Sequence, residues 1–257
     1  MRIKLTAVMA VCAAAMATRV PTAHAESGWL EPEEGTFAGY TGPDSYELLL
    51  RHAMLEDDHY RGCQLLRLPA FGQESVVYIV DRAGSLTVVN RTMKEELWGR
   101  IQRDIQGTAK ERSSDRAAVQ AGAFDAVRSA VDTKTAPIDR ASANTILDAC
   151  REVLLGTRYA AEPTRGNDGV SYHAGHWMSG TFLAGQTWSP KAGTIAREFV
   201  DMEEALAAYA AAVPSKRDTL KSAVLNRATL LLRRVRVPSA TVPANPALNP
   251  TGLRPAG

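Results

Sequence analysis

The feature that most constrains this fold is an extended apolar run, Ser75 to Asp81, whose centre reads Val-Val-Tyr-Ile-Val. β-Branched and aromatic residues in a short, uninterrupted run are typical of a buried strand. Ala83-Gly84 follows as a turn signal, and Leu86 to Asn90 then has the pattern of a second strand. The sequence therefore predicts an antiparallel hairpin here.

Other extended segments complete two hairpin groups. Gln64 to Leu68 precedes the first hairpin, and the alternation from Val127 to Thr133 predicts another strand, which Pro137 closes. A second hairpin is predicted over about Val170 to Trp188, after the turn-forming residues Asn167-Asp168-Gly169.

Amphipathic helices lie between and after these strands. Capping residues and apolar stripes predict five of them, which begin at Asp44 or Ser45, at Thr92, at Asp139 or Ser142, at Thr194 and after Pro214. The first should run to about Tyr60 and end at Gly62. Strict alternation of strand and helix is absent, so we predict an α+β fold. Its antiparallel sheet has about five to six strands in two hairpin groups and is covered by four to five helices.

The first 25 residues have the three parts of a secretory signal peptide. Arg2 and Lys4 form a basic start, Leu5 to Ala17 are apolar or small, and Ala23-His24-Ala25 is a cleavage site of the A-x-A type. The apolar run is shorter than the ~20 residues that a membrane span needs. We predict Sec-type export with cleavage near Ala25, and hence a periplasmic or secreted protein with no integral membrane segment. Lipidation at Cys12 is the alternative.

The rest of the chain is predicted to be one folded unit with a tail. Residues 26–236 carry the strands and helices and are interpreted as a single α+β domain. Residues 237–257 contain five prolines among small polar residues. This composition lacks the apolar periodicity needed to bury a face and predicts a flexible tail.

Charge argues against nucleic acid as a partner. Cleavage removes Arg2, Lys4 and Arg19 from the 30 basic residues and none of the 28 acidic ones. The mature chain is therefore close to neutral. A chain without a basic surplus has no general attraction for nucleic acid or for an anionic membrane surface.

Export also bears on the cysteines. Removal of Cys12 leaves Cys63 and Cys150, and two cysteines in an oxidising compartment predict one disulfide. The helix that carries Ile146, Cys150 and Val153 on one face directs Cys150 inward, as such a bridge requires. The alternative is two buried free thiols, because Cys also packs as a small apolar residue.

Metal-like spacing occurs on the first predicted helix, at His52, Glu56 and His59. Offsets of four and three residues place these side chains on one helical side, but the order differs from the His-Glu-x-x-His of metalloproteases. His173 and His176 are three residues apart on a strand and so point to opposite faces. We predict no metal and no cofactor. The first three residues remain candidates for an alternative, metal-assisted hydrolase.

The sequence does not point to catalysis by other means. It has no Gly-x-Ser-x-Gly nucleophile elbow and no glycine-rich phosphate loop in a strand-to-helix setting. Neighbouring acids such as Glu203-Glu204 do not face each other on a helix. They are therefore interpreted as solvated faces rather than as an acid and base pair.

The second hairpin carries the most distinctive residues of the mature chain. Trp177 and Met178 are predicted at its tip, and Phe182 and Trp188 follow. Aromatic and Met side chains at an exposed tip are residue types that anchor protein interfaces. We take these four residues as a candidate interface, with the alternative that Trp177 folds back as core cover.

Together these features predict an exported, non-enzymatic envelope protein that acts by binding another protein. An inhibitor or immunity factor that neutralises a toxin or hydrolase is a concrete version. A small periplasmic hydrolase and a structural accessory of the cell envelope, tethered by its tail, are the alternatives. The partner and the oligomeric state do not follow from the sequence.

Overall fold

A computed structural model describes residues 28–33, 45–55, 61–97, 99, 129–160, 166, 168–178 and 180–236 of this chain. The predicted signal peptide, with its alternative lipidation site at Cys12, and the predicted tail lie outside these residues. So do Glu56 and His59 of the candidate metal site.

Six strands and four helices have defined bounds in this part of the chain. In chain order they are helix α1 (Ser45–Met54), strands β1 (Arg61–Pro69), β2 (Ser75–Arg82), β3 (Ser85–Met93) and β4 (Val131–Pro137), helix α2 (Arg140–Leu155), strands β5 (Val170–Met178) and β6 (Thr181–Trp188), and helices α3 (Ile195–Ala211) and α4 (Pro214–Arg236). Among the described residues, no helix is both long and apolar enough to cross a membrane.

The strands form one antiparallel sheet in the order β4-β3-β2-β1-β5-β6. Strands β1 to β4 make a meander, and the β5–β6 hairpin adds to the other side of β1, where Leu66 pairs with His173. The predicted α+β fold, with an antiparallel sheet built from two hairpin groups, is confirmed.

Each face of the sheet is buried under different helices. Leu65, Val77 and Ile79 face the larger core, which α2, α3 and α4 cover; we call this side the three-helix face. Leu66 and Tyr78 point to the other side, the α1 face, where α1 completes a smaller core. Adjacent strand residues point to opposite faces, and full burial of one aliphatic side chain stabilises the fold by about 1.5–3 kcal/mol.

Strand β3 continues through a position where the sequence predicts the start of a helix. Thr92 pairs with Ser75 on one side and with Asp132 on the other, so its backbone belongs to the sheet. The predicted helix start at Thr92 is therefore wrong, although Leu97 and Gly99 further along the predicted segment are helical. Met93 and Leu97 are fully buried in the core of the α1 face, and their four-residue spacing reflects this shared burial. The strand predicted from Val127 begins later, at Val131, and ends at Pro137 as predicted.

Gly62 lies within strand β1, where the sequence predicts a helix end. It pairs with Ile79, and a Cβ atom at this position would lie 2.5 Å from Cδ2 of Leu147. The glycine therefore lets helix α2 approach strand β1 closely. Glycine is common both where two backbones approach closely and where a helix ends. The sequence alone does not distinguish these two roles, and the predicted helix end at Gly62 is therefore wrong.

Two predicted helix starts are confirmed by their capping contacts. The Asp139 carboxylate accepts a hydrogen bond of 2.9 Å from the Ser142 N–H at the start of α2. Thr194 Oγ1 accepts one of 3.1 Å from the Arg197 N–H at the start of α3. Each bond satisfies a first-turn donor that has no partner within its own helix.

The segment 28–33 covers the outer edge of the β5–β6 hairpin. Glu31 and Gln186 exchange two backbone hydrogen bonds of 2.8 and 2.7 Å, and Leu30 beside them is fully buried. An exposed sheet edge can pair with other chains. This short segment therefore blocks part of the β6 edge.

Candidate functional site

Strand β1 contains a β-bulge at Cys63. The register of β1 with β2 shifts between Gly62 and Leu65, and Cys63 has a positive φ of 48°. Residues other than glycine seldom adopt this conformation, and bulges often re-aim a side chain next to a functional site. The bulge directs attention to what Cys63 contacts.

The Cys63 backbone is held by a histidine from the neighbouring strand. Its N–H donates a 3.1 Å hydrogen bond to Nδ1 of His176 on β5. Burial, together with the positive charge of Arg151, lowers the pKa of His176. The imidazole is therefore neutral at pH 7, and because Nδ1 accepts a bond, the ring proton is on Nε2.

The Cys63 side chain enters a fully buried cluster with Cys150 and Glu203. Strand β1 supplies Cys63, helix α2 supplies Cys150 and helix α3 supplies Glu203; all three are 0 % exposed. One donor atom from each lies within 4.8 Å of the other two. We call these three residues the thiol–carboxyl cluster.

Hydrogen bonding within the thiol–carboxyl cluster is incomplete. The Cys63 thiol donates to Oε1 of Glu203 at 2.7 Å. The second carboxyl oxygen, Oε2, is buried and has no hydrogen-bond partner among the described residues. A buried polar atom without a partner is uncommon in folded proteins and calls for a specific explanation.

Burial sets the protonation state of the thiol–carboxyl cluster. It raises the pKa of the Cys63 thiol well above the usual value, with Cys150 adding to the shift, and it raises the pKa of Cys150. Burial also raises the pKa of Glu203 to about 8, against the opposing effect of the Cys63 hydrogen bond. All three groups therefore hold their protons at pH 7, and the cluster is neutral.

Such a cluster has two chemical options. Loss of two protons and two electrons would join the sulfurs in the predicted disulfide, whereas loss of its protons to a bound cation would create three anionic ligands. Cys63 and Cys150 are both free thiols in the structure. Their closeness permits either option, and the disulfide stays a prediction.

A groove lies next to the thiol–carboxyl cluster, at the end of the sheet where the β5–β6 hairpin turns. Its volume is about 360 Å³. We call this groove the tip groove, and its wall is partly apolar and partly polar. The residues that line it are Gly62, Ile79, Asp81, Leu86, Arg140, Asn144, Leu147, His176, Trp177, Met178 and Gly180. Asp81 and Arg140 pair at its rim, with 3.5 Å between Oδ2 and Nη2.

The hairpin tip presents an aromatic pair in addition to the groove. Trp177 is 42 % exposed, and its ring centroid lies 5.3 Å from that of Phe182, which is its partner across the hairpin. Met178 and His176 alternate with Trp177 along β5 and therefore point to the three-helix face. The tip thus offers an aromatic pair on one face and a groove on the other, and Trp177 also contributes to the lining of the groove.

Trp188, the fourth residue of the candidate interface, lies apart from the other three. It pairs with Ser171 at the opposite end of the hairpin, and its ring packs against Gly166 and Gly169. At about 3.3 Å per residue, the length of β6 places it roughly 20 Å from the tip. Trp188 does not share a surface with Trp177.

The histidines singled out in the sequence are distributed over the two faces of the sheet. His52 lies on α1. His173 points to the side opposite His176, as predicted, and its Nδ1 lies 3.5 Å from Oε1 of Glu33. Within the described part of the chain, the metal-type donors that converge are those of the thiol–carboxyl cluster, and no histidine joins them.

The sequence interpretation missed Glu203. Reading Glu203-Glu204 as a solvated pair is wrong for Glu203, which is completely buried, whereas Glu204 is exposed. The signal that reveals it is spacing: Glu203 lies four residues after Phe199 and three before Leu206, on the apolar stripe of α3. Burial of an acidic side chain costs free energy, so an acid on the buried side of an amphipathic helix indicates a specific partner or function.

Comparisons with known proteins supply no relative from which a function could be transferred. No family model, no curated protein and no solved structure matches the chain. Its function is therefore inferred from the geometry of the hairpin tip.

Proposed function

We propose that this protein is exported to the periplasm or beyond and acts by binding another protein through the tip of the β5–β6 hairpin. The observation that carries the proposal is the exposure of Trp177, of which 42 % is accessible beside the tip groove. Exposed aromatic side chains next to a pocket are the usual energetic centres of protein interfaces. No catalytic role is proposed for these residues.

Both faces of the tip contribute to the proposed interface. A partner that closes around the tip covers the Trp177–Phe182 pair on one side. On the other side it inserts an apolar side chain into the tip groove, where Ile79, Leu86 and Leu147 supply apolar contacts. The Asp81–Arg140 ion pair and the Nε2 proton of His176 add polar contacts that select orientation.

The support of the tip favours binding as well. Strand β5 pairs with β1 over Gln64 to Pro69 on one side and with β6 as far as Met178 on the other. The pairing with β1 stops at Gly175, so Trp177 is held by its β6 partner Phe182 just beyond the doubly paired part of the strand; a surface supported in this way loses little conformational freedom on binding. In its concrete form, the proposal is an inhibitor or immunity factor that inserts Trp177 into a cleft of an envelope toxin or hydrolase.

The proposal is tested by comparing two exposed aromatic residues. Phe71 is 80 % exposed and lies just after β1, at the opposite end of the sheet from the tip. The mature wild-type chain and its Trp177→Ala and Phe71→Ala variants are immobilised and exposed to envelope extract, and retained proteins are quantified by mass spectrometry. We expect a protein that wild type and Phe71→Ala retain and that Trp177→Ala does not.

Direct binding then decides the result. With the purified partner, Trp177→Ala should weaken Kd by about 30-fold or more, the effect of an interface hot spot, and Phe71→Ala should leave it unchanged. Equal binding by the two variants, or no protein that depends on Trp177, contradicts the proposal. Export is checked separately: N-terminal sequencing of the processed protein should begin at Glu26.

A further inference from the structure

We propose that the thiol–carboxyl cluster is a binding site for a Zn²⁺ ion, with the thiolates of Cys63 and Cys150 and the carboxylate of Glu203 as its three protein ligands. This goes beyond the proposed function, because the cluster lies under the helices of the three-helix face and not at the hairpin tip. The ion would join β1, α2 and α3 at one point.

The spacing of the donors suits a zinc ion. The donor atoms of the three side chains lie within 4.8 Å of one another. Zinc binds sulfur at about 2.3 Å and carboxylate oxygen at about 2.0–2.2 Å, so that donors from two different residues on one tetrahedral ion are roughly 3.5–4 Å apart. Small side-chain adjustments therefore bring all three residues onto one ion.

The buried carboxyl group favours an ion over a disulfide at the same two sulfurs. Disulfide formation removes the Cys63 thiol proton. Oε1 of Glu203 then loses the hydrogen bond that it accepts from this thiol. Because Oε2 already has no partner in the described structure, the whole carboxyl group would then be buried without one. A cation on the cluster instead gives the Glu203 carboxylate and both sulfurs a shared partner.

The backbone of β1 supports the same conclusion independently. Cys63 lies in the bulge with a φ of 48°, and its backbone N–H donates a hydrogen bond to His176. A strained conformation of this kind persists where the surrounding structure enforces it, and such positions concentrate at ligand sites. Here the bulge turns the Cys63 sulfur toward α2 and α3, which carry the other two donors.

The donor set also selects the ion. Two thiolates are soft ligands, which Zn²⁺ binds well and which Mg²⁺ and Ca²⁺ avoid. Binding displaces two thiol protons and one carboxyl proton to solvent, and nothing is oxidised or reduced. Three anionic donors with charge −3 and the dication leave a site of charge −1, which is far less costly to bury than the three charges alone.

The test uses the full chain, reduced and freed of metal with a chelator, then loaded with Zn²⁺ or with Co²⁺ as a spectroscopic probe. We expect one ion per chain by elemental analysis, and with Co²⁺ the thiolate-to-metal absorption of a tetrahedral sulfur site. Cys150→Ser and Glu203→Gln should each weaken binding at least tenfold. Cys150→Ser should also reduce the thiolate absorption.

His52→Ala is the matched control, because His52 belongs to the other candidate metal site. It should bind like wild type, and loss of binding in this variant overturns the proposal. Failure of the reduced wild-type chain to take up one ion overturns it too. So does a protein isolated from the envelope without reductant that contains no zinc and has a mass lower by two hydrogen atoms, the signature of a Cys63–Cys150 disulfide.

A second measurement covers the case in which Cys150→Ser does not fold. Alkylation of Cys63 and Cys150 by iodoacetamide is followed in the reduced wild-type chain with and without Zn²⁺. At least tenfold slower modification of both thiols with the ion supports the site, because coordinated thiolates are protected. Equal rates under the two conditions overturn it.

Discussion

Two buried carboxyl groups, Glu74 near the α1 face and Glu203 under the three-helix face, differ greatly in the hydrogen bonds that they accept. They are 2 % and 0 % exposed. Both oxygens of Glu74 accept the Leu97 N–H, at 3.2 and 3.0 Å, and Oε1 also accepts the Tyr46 hydroxyl at 3.1 Å. Glu203 accepts one bond from a thiol, and its other oxygen has no partner in the part of the chain described.

The difference distinguishes a structural carboxyl group, Glu74, from one that we propose binds a ligand, Glu203. Glu74 ties α1 and the chain after β3 to the start of β2, and its hydrogen bonds compensate the cost of burial. Glu203 lacks such compensation but has two thiols beside it. Burial alone therefore does not mark a functional acid; burial with a polar atom left without a partner is the stronger signal.

The largest effect that we expect from Glu203 is a fall in the free energy of unfolding as the pH rises, in the reduced, metal-free protein. The pKa of Glu203 rises from 4.5 to about 8 on folding. Between these values the folded chain keeps a proton that the unfolded chain has released, so the free energy of unfolding falls as the pH rises. The shift corresponds to at most about 5 kcal/mol.

Urea unfolding at several pH values, with chelator and reductant present, measures this loss. Glu203→Gln cannot titrate, so the variant should lose most of the pH dependence between the two pKa values. A wild type and a variant with the same pH dependence would show that Glu203 is not the group responsible.

Replacing each acid by leucine should move stability in opposite directions. Glu74→Leu leaves the buried Leu97 N–H and the Tyr46 hydroxyl without their acceptor and should lower the free energy of unfolding by about 3 kcal/mol. Glu203→Leu removes a poorly partnered polar group and should leave stability unchanged or raise it by about 1 kcal/mol in the metal-free protein. Urea unfolding at neutral pH compares the two, and the reverse order would break the distinction.

The sequence predicts the fold more completely than the site, for a physical reason. Strand alternation and helix caps such as Asp139 and Thr194 are local, and most of the elements they predict are present. The Cys63–Glu203 hydrogen bond joins residues 140 positions apart, and no local pattern specifies such a contact. Gly62 shows the same limit, because its role depends on Leu147 of a distant helix.

A smaller effect should follow from the contact that holds the bulge. His176→Phe removes the acceptor of the Cys63 N–H, so we expect a loss of about 1–2 kcal/mol in the free energy of unfolding and faster hydrogen exchange at the Cys63 amide. Trp177→Ala is the neighbouring control, since this residue is exposed, and should cost less than about 0.5 kcal/mol. Equal losses in the two variants would argue against a specific role for the imidazole.

The smallest effect concerns the helix that carries Glu203. Thr194→Ala removes the bond that Thr194 Oγ1 accepts from Arg197 and should lower the free energy of unfolding by about 1 kcal/mol. Thr194→Ser retains a capping hydroxyl and should recover most of this loss. If alanine and serine behave alike in urea unfolding, the start of α3 does not depend on its cap.

The position of β1 between the two hairpin groups also determines when this protein can finish folding. The Cys63 amide and the His176 ring are 113 residues apart in the chain, so β1 lacks one neighbour until most of the polypeptide has been synthesised. Contacts of such long range form slowly, and an unpaired strand that is apolar on both sides invites association with other chains. The nascent first half is accordingly the stage at which this chain is most exposed to aggregation and would gain most from a chaperone.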